Sequence, residues 1–414
     1  MTIEQYQEAV DWLFVQAPNY QIEGQKAYKP GLDNIIRLCD FFGNPQEKIK
    51  TIHIGGTNGK GSSSNMLASV LQEEGYQVGV YNSPHLIDFT ERIKINGQNC
   101  DKEFVYDFIL KLKNLPSDIQ PSFFEFTTIM AFEYFYRKQV DVAIIEVGLG
   151  GRLDSTNIIT PLVSAISNVQ LDHQNILGDT LEEIAEEKAG IIKYNIPIIS
   201  GDENEKVKEI IKKKAEAEQA PFIDATLLTA EWESDLKGNY QEKNIKVVIA
   251  LIKELKRLGF SISDVSIKNG LLQVHKNTGF IGRWFEFSKH PLTICDTGHN
   301  QAGLEYVFDQ LNSIDRHKHV VLGFVNDKKI DDVMRILPEN SVFYFAKPSI
   351  HRGRYPADYR DLLDDAKISY KIFDSVQEAY LSAKQQATNE EVIFIGGSNF
   401  VVGEFLEKNL TDKE

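Results

Sequence analysis

A glycine-rich loop between a predicted strand and a predicted helix limits most strongly what this chain can fold into. Residues 50–62 read KTIHIGGTNGKGS, an apolar run followed by four glycines, one lysine and one serine. Glycine lets a backbone turn until its N–H groups converge on an anion. Residues 62–74, SSSNMLASVLQEE, are predicted to form a helix whose positive end points at the same anion. The sequence therefore predicts a phosphate-binding loop at the end of a strand in an α/β fold.

The side chains of this loop suit a nucleotide and its metal. Lys60 is placed to neutralise the outer phosphates, and Ser62 or Ser63 offers a hydroxyl to Mg²⁺. The strict pattern G-x-x-x-x-G-K-[ST] fails twice, because Ile54 stands at the first glycine position and Gly61 follows the lysine. A glycine-rich turn without a ligand is the structural alternative.

Composition excludes several classes of protein. A chain of 414 residues is long enough for two domains with a core each, and 42% hydrophobic with 25% charged residues is typical of a soluble globular protein. A net charge of −15 without a basic stripe argues against a nucleic-acid partner. The apolar runs are only as long as strands and the first 20 residues contain acids, which predicts no membrane segment, no targeting peptide and a cytoplasmic protein.

The three cysteines predict neither a disulfide framework nor a zinc site. Cys39, Cys100 and Cys295 are odd in number, far apart and without C-x-x-C spacing. We expect structural thiols.

Acidic and imidazole side chains follow two further predicted strands. Glu146 stands near the end of the strand in residues 141–151, DVAIIEVGLGG, and His173 follows Asp172 after a strand at residues 163–169. An acid at the end of a buried strand needs a partner. We predict that Glu146 holds Mg²⁺, with a salt bridge or cap as the alternative, and that His173 is a metal ligand.

For several other candidate residues, a structural role and a functional role both fit the sequence. Ser83 and His85 follow a strand at residues 76–81, where ligands collect in wound α/β sheets. In the next segment Glu91, Arg92 and Lys94 fit a solvated strand edge as well as a substrate role. Phe123 and Phe124 fit a helix core or the flanks of a flat ligand ring. Lys188 lies among glutamates in a helix at residues 180–192 that opens with a capping box, which by itself indicates a surface salt bridge.

A second α/β pattern begins near Pro291. Strands are predicted at residues 292–295, 319–323, 342–346 and 391–395, alternating with helices. We therefore divide the chain into a first α/β domain at residues 1–282, a hinge at 283–290 and a smaller C-terminal α/β, Rossmann-like domain at 291–414.

Seven stretches together resemble the folylpolyglutamate synthase and dihydrofolate synthase family of the Mur ligase superfamily. They are GTNGKGS (56–62), SPHL (83–86), ERIKING (91–97), EVGLGGRLDSTN (146–157), LDH (171–173), EKAGIIK (187–193) and DTGHN (296–300). The resemblance implies a P-loop ATPase domain with a central, mostly parallel sheet, followed by a glutamate-ligase domain.

The same resemblance implies roles for individual residues. The ATP-binding set is Thr57, Asn58, Gly59, Lys60, Gly61, Ser62, Arg283, Asp296 and His299. Ser83 and Glu146 resemble the ligands of one Mg²⁺, and His173 and Glu146 those of a second. Lys188 matches a lysine that the family carbamylates to serve the metal cluster. The catalytic set is Lys60, His173, Lys188 and Arg283, and the residues facing folate or glutamate are His85, Phe124, His299 and Ser398.

The family joins L-glutamate to a folate or dihydropteroate carboxylate with ATP and Mg²⁺, and a monovalent cation such as K⁺ is a further expectation. We expect a monomer.

Two alternative functions stay open: a peptidoglycan-type amino-acid ligase, disfavoured by Gly61, and a non-catalytic nucleotide-binding module, disfavoured by the complete metal set. Arg283 follows Ile-Gly instead of Pro-Gly, and Asp296 opens DTGHNQ where the family has DGAHNP. These departures concern loop geometry and leave the reaction class unchanged.

Overall fold

The computed structural model describes residues 1–16, 31–229, 231–326 and 330–410. The chain divides into two compact units. Unit one is Met1–His85, Phe89–Asp235 and Gln241–Phe280, and unit two is Leu86–Asp88, Leu236–Tyr240 and Ile281–Glu414.

Unit one is an α/β unit around a central sheet. Its elements in chain order are α1 (Ile3–Gln16), α2 (Asp33–Phe41), β1 (Thr51–Gly55), α3 (Lys60–Glu73), β2 (Val78–Tyr81), β3 (Ile93–Ile95), β4 (Gln98–Asn99), α4 (Lys102–Leu112), α5 (Phe123–Arg137), β5 (Val142–Glu146), β6 (Val163–Ile166), α6 (Gln174–Leu177), α7 (Leu181–Ala189), β7 (Ile198–Ser200), α8 (Glu205–Ala217), β8 (Phe222–Asp224), α9 (Gln241–Arg257), α10 (Asp264–Leu272) and α11 (Val274–Thr278). Short 3₁₀ turns lie at Pro45–Lys48, Phe89–Arg92, Ser155–Ile158 and Ala225–Leu227.

Strand order decides which loops of unit one meet. In the described residues the sheet has eight strands in the order β4-β3-β2-β5-β1-β6-β7-β8. The pairs from β2 to β8 are parallel, whereas β3 runs antiparallel to β2 and to β4. Strands β1 and β5 are buried at every position, as expected where both faces of a parallel sheet are covered. The carboxyl ends of β2, β5, β1 and β6 therefore lie along one edge, where the predicted site residues follow.

Unit two is a smaller α/β unit. Its elements are β9 (Phe285–Lys289), β10 (Leu292–Cys295), α12 (Gln301–Asn312), β11 (Lys318–Leu322), α13 (Ile330–Met334), β12 (Ser341–Ala346), α14 (Arg360–Asp365), β13 (Ser369–Phe373), α15 (Val376–Gln386), β14 (Val392–Gly396) and α16 (Asn399–Leu410), with a 3₁₀ turn at Pro356–Tyr359. The six strands found among the described residues have the order β13-β12-β11-β14-β10-β9, and all pairs are parallel except β9 with β10.

The predicted fold class is confirmed, with local corrections. Residues 283–290 were expected to be a hinge, but most of them form β9, because this segment pairs antiparallel with β10. Leu86 and Ile87 group with unit two because they pack against its apolar cluster. The short strands β7, β8 and β13 were missed, since three to five residues carry little periodicity.

Two further expectations concern thiols and membranes. Cys39, Cys100 and Cys295 are all buried and free, as predicted, and burial raises the pKa of Cys39 to about 12. Within the described ranges, none of the helices combines the length and the apolar character needed to cross a membrane.

Candidate active site

The loop after β1 is held by the loop after β6. The Thr57 N–H donates to the backbone oxygen of Asn168 (2.9 Å), and the Asn58 N–H donates to the Asn168 side-chain oxygen (2.9 Å). The N–H of Gln170 donates to the Thr57 hydroxyl (3.0 Å). The first two N–H groups of the predicted cradle therefore fix the loop instead of pointing at an anion.

The part of the loop that can receive an anion is the start of α3. Gly59 is the N-cap with a φ of 85°, and no side chain caps this helix. The first N–H groups of a helix lack intrahelical acceptors, so this end can receive a phosphate. A Cβ on Gly59 would lie 2.2 Å from the Asn244 side-chain oxygen, so both the positive φ and the close approach require glycine.

Lys60 and the serines of α3 complete the loop. The Lys60 ammonium donates to the backbone oxygens of Gly56 (3.0 Å) and Thr57 (3.1 Å). The Ser62 hydroxyl accepts from the Gln241 side-chain amide (3.3 Å), whereas the buried Ser63 hydroxyl has no hydrogen-bond partner. Of the two serines predicted as alternatives, Ser63 is thus the hydroxyl whose hydrogen-bonding capacity is unused.

Glu146 is held beside the start of α3 by a chain of amides. Its carboxylate, at the end of β5, is 5% exposed and accepts from the Asn82 amide (2.7 Å). The Asn65 amide donates to the Asn82 side-chain oxygen (2.9 Å) and to the Gly61 backbone oxygen (2.8 Å). A Cβ built on Gly61 would lie 3.7 Å from the same Glu146 oxygen. The structure therefore brings the predicted acid and the phosphate loop together.

Ser83 lies next to this acid in the sheet. It follows β2, and β2 pairs directly with β5. A half-buried hydroxyl and a buried carboxylate are oxygen donors of the kind that Mg²⁺ binds. The oxygen donors at these two strand ends, the Ser83 hydroxyl and the Glu146 carboxylate, therefore suit Mg²⁺.

His173 lies in the loop between β6 and α6, seven residues after the end of β6. It precedes α6 in the left-handed conformation (φ 51°), and its Nε2 lies 3.9 Å from the Asp172 carboxylate. Glu146 and His173 do not follow neighbouring strands, because β1 lies between β5 and β6. The two residues therefore come from strands on opposite sides of β1.

Lys188 is not on the helix surface. The capping box at Thr180 and Glu183 is confirmed, yet Lys188 in the last turn of α7 is only 3% exposed. Burial, and then the nearby charge of Lys60, lower its pKa to about 7, against the opposing effect of Asp172 and Asp154. The predicted surface salt bridge is wrong. A buried amine that is partly neutral at pH 7 can react with CO₂.

The substrate candidates of unit one lie in aromatic surroundings. The His85 Nδ1 accepts from the Arg92 side chain (2.8 Å), and Arg92 lies over the Phe123 ring (5.1 Å). Arg92 is buried and Lys94 donates to the Thr278 backbone oxygen (3.0 Å), so the solvated strand edge considered for both is wrong. Phe123 belongs to the core.

Phe124 packs on the glycine-rich loop that follows β5. A Cβ on Gly148 would lie 2.4 Å from the Phe124 ring. Phe124 is half-buried at this edge, in a position where its ring can serve both packing and a ligand.

In unit two the Asp296 carboxylate holds its own loop through hydrogen bonds. Its carboxylate accepts from the Tyr240 hydroxyl (2.6 Å) and from the backbone N–H groups of Trp284 (2.8 Å) and Gly298 (2.8 Å). With three donors and 2% exposure, this carboxylate is better placed to shape the loop than to touch ATP directly.

The remaining candidates of unit two also have local partners. Arg283 donates to the Gly282 backbone oxygen (3.1 Å), and the His299 Nδ1 lies 3.1 Å from the Thr297 backbone oxygen. Both side chains are half-buried. The buried Ser398 hydroxyl accepts from the Val401 N–H in the first turn of α16 (3.3 Å), which is a helix-capping contact.

Comparison with known proteins identifies the family. The Mur ligase middle domain matches residues 54–263, and the Mur ligase glutamate ligase domain matches residues 282–399. The dihydrofolate synthase/folylpolyglutamate synthase of Bacillus subtilis is 31% identical over 97% of this chain and 99% of its own length. The chain belongs to this family of Mur ligases.

Solved structures of the folylpolyglutamate and dihydrofolate synthase family share the fold. Escherichia coli FolC in complex with DHPP and ADP has a TM-score of 0.84 at 27% identity, covering 98% of each chain. A bifunctional folylpolyglutamate synthase/dihydrofolate synthase with Mn, AMPPNP and L-glutamate bound has a TM-score of 0.83 at 27% identity, covering 97% of each chain. The chain spans only 50% of another relative, a probable bifunctional folylpolyglutamate synthase/dihydropteroate synthase of Haloferax volcanii, at 29% identity over 97% of this chain.

Sequence reasoning missed the asparagines of this family member. Asn65, Asn82 and Asn168 hold Glu146 and the phosphate loop in place. A detectable signal was the spacing of Asn65 four residues after Gly61, which puts its amide over the first helical turn.

Proposed function

We propose that the protein catalyses the ATP-dependent ligation of L-glutamate to the carboxylate of a folate or of dihydropteroate, through an acyl phosphate, with release of ADP and phosphate. The observation that carries this proposal is the hydrogen-bond chain from Asn65 through Asn82 to Glu146, which holds a buried carboxylate beside the uncapped start of α3. The names of the related enzymes, and their complexes with ADP, an ATP analogue, Mn and L-glutamate, support the same reaction.

The reaction has two displacement steps. An oxygen of the acceptor carboxylate attacks the γ-phosphorus of ATP while the bond to the ADP oxygen breaks. The amine of glutamate then attacks the acyl carbon, loses a proton and expels phosphate. Charge accumulates on phosphoryl oxygens in the first step, so preorganised cations and N–H donors lower its barrier.

Residues of unit one are assigned to that stabilisation. The start of α3 and Lys60 bind the phosphates, and Ser83, Glu146 and His173 are the residues assigned to hold Mg²⁺. Bound there, Mg²⁺ supplies positive charge to the phosphoryl oxygens. The Lys188 amine would add to CO₂ and release a proton, giving a carbamate whose negative charge serves the metal site.

The assignments in unit two rest on the family resemblance. Arg283 and His299 are proposed to contact phosphate or glutamate, and Ser398 to contact glutamate. Asp296 is proposed to position the loop that carries His299, because its carboxylate accepts from the Gly298 N–H in that loop and from the Trp284 N–H just before β9. A monomeric state, the absence of a nucleic-acid partner and a K⁺ requirement remain predictions.

An assay of ADP release tests the function. Purified protein is supplied with ATP, Mg²⁺, L-glutamate and either dihydropteroate or a reduced folate. We expect ADP formation that needs both glutamate and an acceptor, with a ligated product of matching mass. ATP turnover that depends on neither glutamate nor an acceptor would contradict the proposal. ATP binding without turnover would also contradict it and would favour a nucleotide-binding module. Running the two acceptors separately decides between one activity and two.

A further inference from the structure

Two histidines and a glutamate form a cluster in unit two that the proposed reaction does not use. His317 directly precedes β11, His319 is its second residue, and Glu391 directly precedes β14. One possible ligand atom from each of the three side chains lies within 4.8 Å of those of the other two.

The pairing of two strands places the three residues of this cluster next to one another. Strands β11 and β14 are parallel, with Lys318 opposite Val392, and the Val392 N–H donates to the His317 backbone oxygen (3.0 Å). Residues two apart on a strand share a face, and so do residues that lie opposite each other. His317, His319 and Glu391 therefore lie on one face, at the amino ends of the strands.

The cluster is separated from the predicted ligand-binding loops of unit two. Asp296 and Ser398 follow the carboxyl ends of β10 and β14, which is the opposite edge of the same parallel sheet. Occupancy of the cluster is thus independent of the proposed reaction.

In each ring Nδ1 lies within hydrogen-bond distance of a side-chain oxygen. The His317 Nδ1 lies 3.0 Å from the Asn340 side-chain oxygen, and the His319 Nδ1 lies 2.9 Å from the Tyr344 hydroxyl. The His319 Nε2 is hydrogen-bonded to the Glu391 carboxylate, so a metal bound by these two groups would replace that hydrogen bond. Metal-binding histidines commonly donate their second ring N–H to an oxygen, and the Nδ1 contacts would supply that oxygen here.

One distance within the cluster also fits a shared metal. The His319 Nε2 lies 3.3 Å from the Glu391 carboxylate. Two ligands about 2.05 Å from one Zn²⁺ at a tetrahedral angle are roughly 3.3 Å apart.

We propose that His317, His319 and Glu391 form a Zn²⁺ site that links the amino ends of β11 and β14. Two imidazoles and one carboxylate are a donor set for zinc and not for Mg²⁺, which prefers oxygen ligands throughout. Three protein ligands leave the fourth tetrahedral position to water, and the partial exposure of Glu391 gives access to it.

Calorimetric titration with Zn²⁺ tests the site, using full-length protein freed of metal by a chelator and kept in excess Mg²⁺. We compare the wild type with His317→Ala and Glu391→Gln, each of which removes one ligand, and with His351→Ala, which removes an exposed histidine of the same unit. The glutamine keeps an oxygen acceptor for the Thr388 N–H that Glu391 now binds (2.7 Å).

We expect one Zn²⁺ per chain in the wild type and in His351→Ala, and a Kd at least tenfold weaker in both ligand variants. Zn²⁺ in 100-fold excess over the wild-type Kd should raise the Tm of the wild type by about 5 °C and that of the ligand variants by no more than about half as much. Binding of Co²⁺ should give the visible absorption of a tetrahedral site in the wild type and in His351→Ala and not in the ligand variants. Absence of Zn²⁺ binding by the wild type, or equal affinity in folded ligand variants, would overturn the proposal.

Discussion

At the scale of single residues, the protein shows how burial changes the chemistry of lysine. Lys188 has the sequence surroundings of a surface ion pair, which is worth under about 1 kcal/mol. Its burial and the charge of Lys60 lower its pKa from 10.5 to about 7. Burial therefore favours the uncharged amine, and only the uncharged amine can form a carbamate.

Lys188→Ala is expected to lose most ligase activity, because the carbamate would be missing from the metal site. Formate or acetate should restore part of the activity by supplying a carboxylate. Glu186→Ala, on the exposed face of the same helix, is the control and should keep full activity. The measurement is ADP release with and without the added anions. A fully active Lys188→Ala would disprove the carbamate role.

Lys60→Ala is expected to reduce kcat/KM about a thousandfold, because it removes a cation from the transferring phosphoryl group. Its ammonium donates to backbone oxygens of its own loop, and circular dichroism checks that the variant is folded. Lys50→Ala, an exposed lysine just before β1, is the matched control. Near-normal turnover by Lys60→Ala would refute the assignment of this loop to phosphate.

At the scale of secondary-structure elements, three of them converge on one carboxylate. Asn65 on α3, Asn82 after β2 and Glu146 at the end of β5 form one hydrogen-bond chain. Each amide orients the next group, so the carboxylate of Glu146 keeps one position relative to the first turn of α3. The geometry of the proposed metal site thus depends on residues that are not proposed as metal ligands.

Asn82→Ala is expected to raise the Mg²⁺ concentration needed for half-maximal activity about tenfold, as removal of an orienting partner commonly does. Glu146→Gln should raise it further. The double variant should lose little more than Glu146→Gln alone, because both residues serve one site. Mg²⁺ titrations of ADP release measure this, with the exposed Asn114→Ala as control. Fully additive losses with an unchanged Mg²⁺ requirement would point to structural roles.

At the scale of the whole molecule, buried histidine makes folding sensitive to acid. His53 lies inside β1, its Nε2 is 2.8 Å from the Thr156 hydroxyl, and its Nδ1 is buried without a partner. Burial, helped by the charge of Lys193, lowers its pKa from 6.5 to about 3. Between these values the unfolded chain binds a proton at this residue and the folded chain does not, so stability falls as the pH falls from 6.5 to 3.

His53→Gln should therefore flatten the pH dependence of unfolding. One such group contributes about 1.4 kcal/mol per pH unit within this window. Urea unfolding of unit one at pH 7, 6 and 5 gives the slope, which is independent of any constant destabilisation by the substitution. The exposed His290→Gln is the matched control for the loss of a histidine. Equal slopes in the wild type and His53→Gln would show that His53 titrates normally.

Local patterns in the sequence determined the fold class and the position of the phosphate loop. Ile52 and Ile54 mark a buried strand, the glycines before Lys60 mark the turn, and Thr180 with Glu183 marks the start of a helix. Each of these signals depends on neighbours within a few residues. The acid at the end of β5 was singled out from a local signal of the same kind, since a carboxylate at the end of a buried strand needs a partner.

Only the tertiary structure decided burial, strand order and long-range hydrogen bonds. Lys188 is indistinguishable from a surface lysine until the packing of α7 is known. Glu146 and His173 are separated by β1 because strand order depends on contacts between residues far apart in the chain. Asn65, Asn82 and Glu146 span 82 positions, and His319 and Glu391 span 73, so their contacts have no local pattern in the sequence. Folding brings such residues together through the pairing of strands, and periodicity within one segment cannot report that pairing.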